Sequence, residues 1–418
     1  MHATSRSNLE RRLSRHATVL DGNLVLTPVD NFPELDRFSS FTSSFHGLYA
    51  SDKLRSIKQQ KTANIQFSGR SHLSLEINKI HEQLANAFNC SHASLRLLSG
   101  LHAHIVLFMG LAKIGAKVAL LPVEGGGHFA TPGILERLGL KVIPLLSDND
   151  RKCIDIDAST TVIEREKPDI LFIDRSEGLK FEDFSAIGQL DVPIRIFDSS
   201  QYVPQIIAGL YTNPFKWGFN IQVLTLHKSF PGPQKAAILS DDDDLWQVVL
   251  SALSNYVSSS HIENSLLTGL IIENTDALNL YANRLLNVKE TLESELLKND
   301  VPVILSNETG SSSWPLTQHL WLTMPDQEKA FFYWKLLERN RIQTNYRLLP
   351  YNLGWGLRLG VTAAVSRGLQ VDDVEEVAKI IGMLFRNPNE HNLRKDVTRL
   401  VRRIRPNSPF LDSKTRDE

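Results

Sequence analysis

From Ser99 to Leu239 short apolar runs alternate with segments of helical periodicity, and that alternation leaves few folds open to the chain. Runs at Val118 to Leu121, Val142 to Leu145, Ile170 to Ile173, Ile194 to Phe197, Gln222 to Thr225 and Ala236 to Leu239 read as strands. Their near-continuous apolar character marks strands covered on both faces. Helical stretches fit between them at His102 to Ala112, Pro132 to Leu138 and Phe184 to Gly188. Strand and helix in turn predict an α/β fold built on a mostly parallel sheet. Such a sheet gathers its functional groups at the carboxyl ends of the strands, which places Gly125-Gly126-Gly127-His128, Asp198 and Lys228 along one edge.

The flanking segments read differently. Residues 1–50 read as an N-terminal arm, with a helical patch, an extended Asn23 to Thr27 and a turn at Pro28-Val29-Asp30-Asn31-Phe32-Pro33. Ser40 to Tyr49 mixes serines with Phe41, Phe45 and Tyr49. Leu75, Ile77, Ile80, Leu84 and Phe88 form a helical stripe over Leu73 to Phe88, and a long helical region runs from His261 to Leu297. Beyond Asp300 strands (Val301 to Leu305, His319 to Thr323, Gly356 to Leu359) stand between helices (Gln327 to Arg339, Val371 to Phe385), the texture of a smaller α+β domain. The expected division is therefore an arm over 1–50, a large domain over 51–285 and a small C-terminal domain over 286–418. The tail Arg394 to Arg405 is basic and amphipathic, and is expected to pack a last helix on the body with its charges in solvent.

Charge and cysteines narrow the partners. Lys plus Arg number 46 against 47 Asp plus Glu in 418 residues, a formal net charge of −1. No global field favours nucleic acid or an anionic membrane. No apolar run reaches the roughly 18–20 residues that span a bilayer. Arg6, Arg11, Arg12 and Arg15 among serines share a feature of transit peptides, but Glu10 and the prompt Leu24-Val25-Leu26 favour an ordinary arm. Cys90 and Cys153 match no disulfide framework or metal spacing, so a cytoplasmic protein without a metal site is expected.

Lys228 follows the apolar run ending Ile221-Gln222-Val223-Leu224, where a buried strand leaves the sheet. An amine in that position loses hydration, its pKa falls, and it becomes a nucleophile toward aldehydes. The alternative is a solvated lysine, so further parts of a site must be found. Asp198 ends a strand and would keep a pyridine nitrogen protonated, if it is not simply capping a turn. Ser99 and Gly100 open an apolar helix where backbone N–H groups can hold a phosphate. His128 follows three glycines that let the backbone approach a ligand, and supplies a flat ring. Arg358, in Trp355-Gly356-Leu357-Arg358-Leu359-Gly360, is costly to bury without an anion, so a structural carboxylate or a substrate carboxylate must pair with it. Together these point to pyridoxal 5'-phosphate carried by Lys228 as a Schiff base, with an amino-acid substrate.

With these residues in place the chain resembles the serine hydroxymethyltransferase family, within the aspartate aminotransferase-like fold type I of pyridoxal phosphate enzymes. Leu26-Thr27-Pro28-Val29-Asp30-Asn31-Phe32 is similar to the family's Leu-Ile-Pro-Ser-Glu-Asn-Phe, Ser99-Gly100 to its phosphate turn, and Gly126-Gly127-His128 to its Gly-Gly-His. Thr225-Leu226-His227-Lys228 resembles its Thr-Thr-His-Lys, Gly232-Pro233 the Gly-Pro that follows, and Leu357-Arg358-Leu359-Gly360-Val361-Thr362-Ala363 the segment whose arginine binds the substrate carboxylate. The resemblance implies that His128 stacks on the cofactor and that Ser176 lies near its phenolic oxygen. It also implies that Asp198, Thr225 and Gln201 line the cofactor's place, Gln201 standing where the family has a histidine. His227 or His128 moves protons, Asp30 and Tyr49 lie on the substrate side, and the protein is a homodimer.

The departures cluster on one side. Val29 replaces the serine that helps hold the carboxylate, Leu101 the second serine of the phosphate turn, and Gln234 the arginine after Gly-Pro. The segments serving folate are reduced to a region around Phe67-Ser68-Gly69-Arg70, and the glycine-rich phosphate loop reads Ser258-Ser259-Ser260-His261. The expected activity is therefore an aldol, transaldol or hydroxymethyl transfer at the Cα–Cβ bond of an amino acid, specialised, free of folate and of the kind that makes natural-product side chains. The alternatives are an aminotransferase, a β/γ-substitution enzyme, or a regulatory relative without catalysis.

Overall fold

The computed structural model describes residues 7–32, 45, 47–50, 56–63, 65, 67–258, 261–306, 314–389 and 392–410. Pro33, Phe41 and the pair Ser259-Ser260, which entered the sequence reading, lie outside them. Seven strands form the main sheet, in the order His92–Leu97, Ala236–Ser240, Ile221–Thr225, Ile194–Asp198, Ile170–Asp174, Lys117–Leu120, Lys141–Pro144. Ala236–Ser240 runs antiparallel to both neighbours, and the other pairings are parallel.

Alternation along each strand explains why both faces are covered. Val118, Leu120, Ile170, Phe172, Ile196, Ile221 and Val223 face Val106, Leu107 and Phe108 of helix Gly100–Leu111 and Val249 and Leu253 of helix Asp243–Tyr256. Ala119, Leu171, Ile173, Phe197 and Leu224 belong to the opposite layer, with Tyr281, Leu285 and Val288 of helix Thr275–Lys298. Burying such side chains on both faces contributes about 1.5–3 kcal/mol for each large aliphatic or aromatic group.

The second layer continues without a break into the C-terminal part. There His319–Thr323, Gly354–Gly360 and Asn345–Leu349 form an antiparallel sheet backed by helices Gln327–Arg339 and Val374–Arg386. The N-terminal Leu24–Val25 pairs in parallel with Ile342–Gln343, and Leu26 O accepts from Gly360 N at 2.9 Å. Helix Arg394–Ile404 buries Val397, Leu400, Val401 and Ile404 and turns its arginines outward, as its pattern predicts. Among the described residues no helix is long and apolar enough to cross a membrane.

Several elements differ from expectation. Strand His92–Leu97 was not anticipated, because His92, Ser94 and Arg96 interrupt the apolar run. The long helical region is two helices, Ile262–Glu273 and Thr275–Lys298, separated at Asn274, whose side chain accepts from Ala277 N and caps the second. Val301 to Leu305 does not form a strand: Pro302 lacks an N–H, and the segment keeps one bridge, Val303 to Leu322.

Helix Thr275–Lys298 also buries charge. Lys289 Nζ donates to Glu293 Oε2 at 2.5 Å and to the hydroxyl of Ser306, whose N–H donates to Glu293 Oε1 at 2.8 Å. Replacing Glu293 by alanine strands the Lys289 cation, so urea unfolding of that variant is expected to show a loss of about 3–5 kcal/mol. The double variant Lys289→Met/Glu293→Leu should recover most of it.

Candidate active site

At the carboxyl end of Ile194–Asp198, His104 Nε2 donates to Asp198 Oδ2 at 2.7 Å and Ser200 N donates to Oδ1 at 2.8 Å. Burial alone would raise the Asp198 pKa, but His104, the Lys228 charge and Ser200 hold it down at about 2. Each oxygen keeps a lone pair for a further donor. The adjacent strand ends in Asp174, in register with Asp198. Burial and the Asp198 charge push Asp174 up to about 6. Two neighbouring carboxylates in a dry site cannot both ionise at little cost, and here the proton goes to Asp174. Ser176 Oγ donates to Asp174 Oδ1 at 3.0 Å, which puts Ser176 beside this pair.

Lys228 is half-buried where the neighbouring strand Ile221–Thr225 ends. Asn31 Nδ2 donates to the Lys228 carbonyl at 2.8 Å and to Tyr281 Oη at 3.1 Å, while the Tyr281 hydroxyl donates to Ser229 O at 2.9 Å. Thr225 and Ser200 exchange bonds: Ser200 Oγ accepts from Thr225 N and donates to Thr225 Oγ1, both at 2.8 Å. Ser99 caps helix Gly100–Leu111, its Oγ accepting from His102 N at 3.2 Å. A Cβ on Gly100 would lie 2.4 Å from Thr225 Oγ1, so only glycine lets the helix start against the lysine's strand.

The glycines before His128 leave room for neighbouring parts of the chain itself. A Cβ at Gly125, Gly126 or Gly127 would meet Ser147 Oγ at 2.2 Å, Glu177 O at 2.4 Å or Leu121 O at 2.2 Å, and Gly126 has φ +89°. They admit the backbone carbonyls of Glu177 and Leu121 at Gly126 and Gly127, and the Ser147 side chain at Gly125. His128 is half-buried, its ring edge-on to His104 with centroids 6.1 Å apart. Burial, His104 and Lys228 bring its pKa down to about 4, so its ring is neutral at pH 7. Burial and Lys228 also lower His227, whose Nδ1 has no partner among the described residues.

On the far side Arg358 is buried in strand Gly354–Gly360, and the anion it requires is Glu177: Arg358 Nη1 lies 3.4 Å from Glu177 Oε1, which also pairs with Arg347. Arg358 Nη2 donates to Asn345 Oδ1 at 3.0 Å. Buried His319 feels both Arg358 and Lys228 and is held well below the usual imidazole range, chiefly by burial. Gln201 is turned toward the small sheet, accepting from Gln318 Nε2 at 3.0 Å through its carbonyl and 3.2 Å through its side chain. Asp30 lies against Thr362, and burial raises its carboxyl pKa. Tyr49 is not assembled with the rest: it is exposed and stacks on Phe67.

His104, Asp174, Glu177, Asn31, Tyr281, Arg347 and His319 were missed by sequence reasoning. His104 had a signal, the second of two histidines in an otherwise apolar helix, four residues after Gly100. The donor set fits pyridoxal phosphate: an ionised buried carboxylate with spare lone pairs, a capped helix start, a neutral flat imidazole and a strand-end lysine converge on one edge.

No family model matches the chain. It is 26% identical over 364 residues to a serine hydroxymethyltransferase of Pyrobaculum arsenaticum, covering 84% of this chain and 83% of that protein. It is 29% identical over 327 residues to a fluorothreonine transaldolase of Streptantibioticus cattleyicolor, covering 76% of this chain but only 50% of that longer protein. A crystal structure of L-threonine transaldolase from Pseudomonas fluorescens, in its internal aldimine state, superposes with a TM-score of 0.85 at 21% identity, over 97% of this chain and 94% of that one. Fold and site thus define a pyridoxal phosphate enzyme of fold type I. Within that class the chain is a divergent, serine hydroxymethyltransferase-like transferase.

The two strand-end carboxylates impose opposite pH dependences. Asp174, raised to about 6 from the ordinary value near 4, contributes stability that is complete below about pH 4 and is lost as pH rises through about 6. Asp198, depressed to about 2, contributes above about pH 4 and fails as pH falls toward 2. Thermal midpoints of Asp174→Asn relative to wild type should therefore rise between about pH 4 and 6.5. Parallel curves would remove the proton from Asp174.

Proposed function

We propose that this chain breaks and re-forms the Cα–Cβ bond of a β-hydroxy amino acid and passes the amino-acid fragment to an aldehyde acceptor, without folate. Pyridoxal phosphate activity at that bond already follows from the relatives, so the proposal concerns specialisation. The observation that carries it is the pairing, in one site, of an Asp198 held ionised by His104 with an Arg358 whose structural anion, Glu177, is shared with a second arginine. The reduced folate segments around Phe67 to Arg70 support the absence of that co-substrate.

Bound pyridoxal phosphate supplies the electron sink for the cleavage. Lys228 anchors it, Asp198 keeps a proton on its ring nitrogen across the working pH range, and the Ser99–Gly100 helix start receives its phosphate. Arg358 orients the substrate through its carboxylate. His128 and His227, neutral at pH 7, are available to take the proton of the β-hydroxyl, and the buried walls limit competing water. We take the working unit to be a homodimer acting in the cytoplasm, with Tyr49 presented to the partner rather than to its own site.

Borohydride reduction of the loaded protein should label Lys228, and Lys228→Ala should lose the label, the visible absorption and about a thousandfold or more of activity. Arg358→Ala should keep the absorption but raise the amino-acid KM roughly a hundredfold. Glycine with aldehydes should yield β-hydroxy amino acids without added folate; amine exchange with keto acids instead would identify an aminotransferase.

A further inference from the structure

The substrate side of the site carries two guanidiniums for one carboxylate. Arg347 and Arg358 both reach Glu177 Oε1, while the buried Glu177 Oε2 and Arg358 Nε have no partner among the described residues. Strand register produces the convergence. Arg358 stands opposite Asn345 and Arg347 opposite Gly356, so Asn345, Arg347 and Arg358 project from one face. Gly356 adds no side chain to that face. Arg358 and Glu177 are buried, and Arg347 is half-buried, reaching them from the open side. Burial and the Arg358 charge lower Arg347 to about 10, and burial lowers Arg358 to about 10, so both remain cations at pH 7. Two positive charges against one negative leave a single unbalanced charge in a poorly hydrated place. A buried charge of that kind calls for an anion.

We propose that Arg347 is a second substrate-binding residue, gripping the α-carboxylate together with Arg358. Glu177 sets the net charge of the cluster so that it accepts one carboxylate on a substrate with an uncharged side chain. This rests on the functional reading above and deepens it. Arg347 enters from the exposed side, so it meets the carboxylate on arrival; Arg358, held by Asn345, fixes its final orientation. With one carboxylate bound the cluster is neutral, and a second anionic group on the same substrate finds no cation left to pair with.

The test uses the pyridoxal phosphate-loaded protein and two probes, glycine and glycinamide, which share an amine but only one of which has a carboxylate. Dissociation constants come from the change in cofactor absorption. For Arg347→Gln, glycine should bind about ten- to a hundredfold more weakly while glycinamide stays within about twofold of wild type, and Arg347→Lys should restore part of the loss. With L-threonine the same variant should raise KM more than it lowers kcat, and cofactor affinity should not move. Equal losses for glycine and glycinamide overturn the proposal, as does glycine binding that is unchanged in Arg347→Gln. Wild-type protein whose absorption responds to neither probe overturns the functional reading itself, and this proposal with it.

Discussion

An ionised carboxylate at the edge of a sheet covered on both faces is the constraint around which this structure is arranged. Removing Asp198 from water is costly, and three separate elements share the compensation: His104 from helix Gly100–Leu111, Ser200 from the turn after the strand, and the charge of Lys228 from the next strand. The neighbouring Asp174 cannot repeat that arrangement in so small a volume, and it holds its proton up to about pH 6. One strand edge therefore pairs a carboxylate that stays ionised down to about pH 2 with one that ionises only as pH rises through about 6, a contrast set by local donors between two identical side chains.

The same economy of space governs the loops around this edge. Gly100, Gly125, Gly126 and Gly127 each stand where a methyl group would collide with a neighbouring chain atom. The segment from Asp174 to Glu177 consequently lies flat against the glycine run, with Glu177 N donating to Gly126 O at 3.0 Å. That contact carries the Glu177 side chain from the large sheet to the arginines of the small one.

Much of the fold was legible because parallel strands buried on both faces leave an unmistakable apolar run, and Asp198 and Lys228 stand at the ends of such runs. Arg358 was legible for the opposite reason, a charge inside one. What escaped notice was whatever obeyed no single period. His92–Leu97 pairs as an edge strand through polar residues, and Arg347 lies in a strand too polar to announce itself. Asp174, one residue beyond the run Ile170 to Ile173, drew no notice because its partner across the register is invisible in sequence. The three glycines were recognised as significant, but sequence shows that room is needed and not which protein atoms fill it, here those of Ser147, Glu177 and Leu121. Tyr49 came from resemblance alone, and within one chain it has no place at the site.

The N-terminal segment is a mechanical link. Leu24 and Val25 are stitched to Ile342 and Gln343, Leu26 to the strand of Arg358, and five residues later Asn31 grips the carbonyl of Lys228. A short taut tether thus joins the residue that carries the cofactor to the sheet that carries the substrate's anchor. The Lys228 peptide and the Arg358 strand are therefore positioned through one continuous stretch of chain, Leu24 to Asn31.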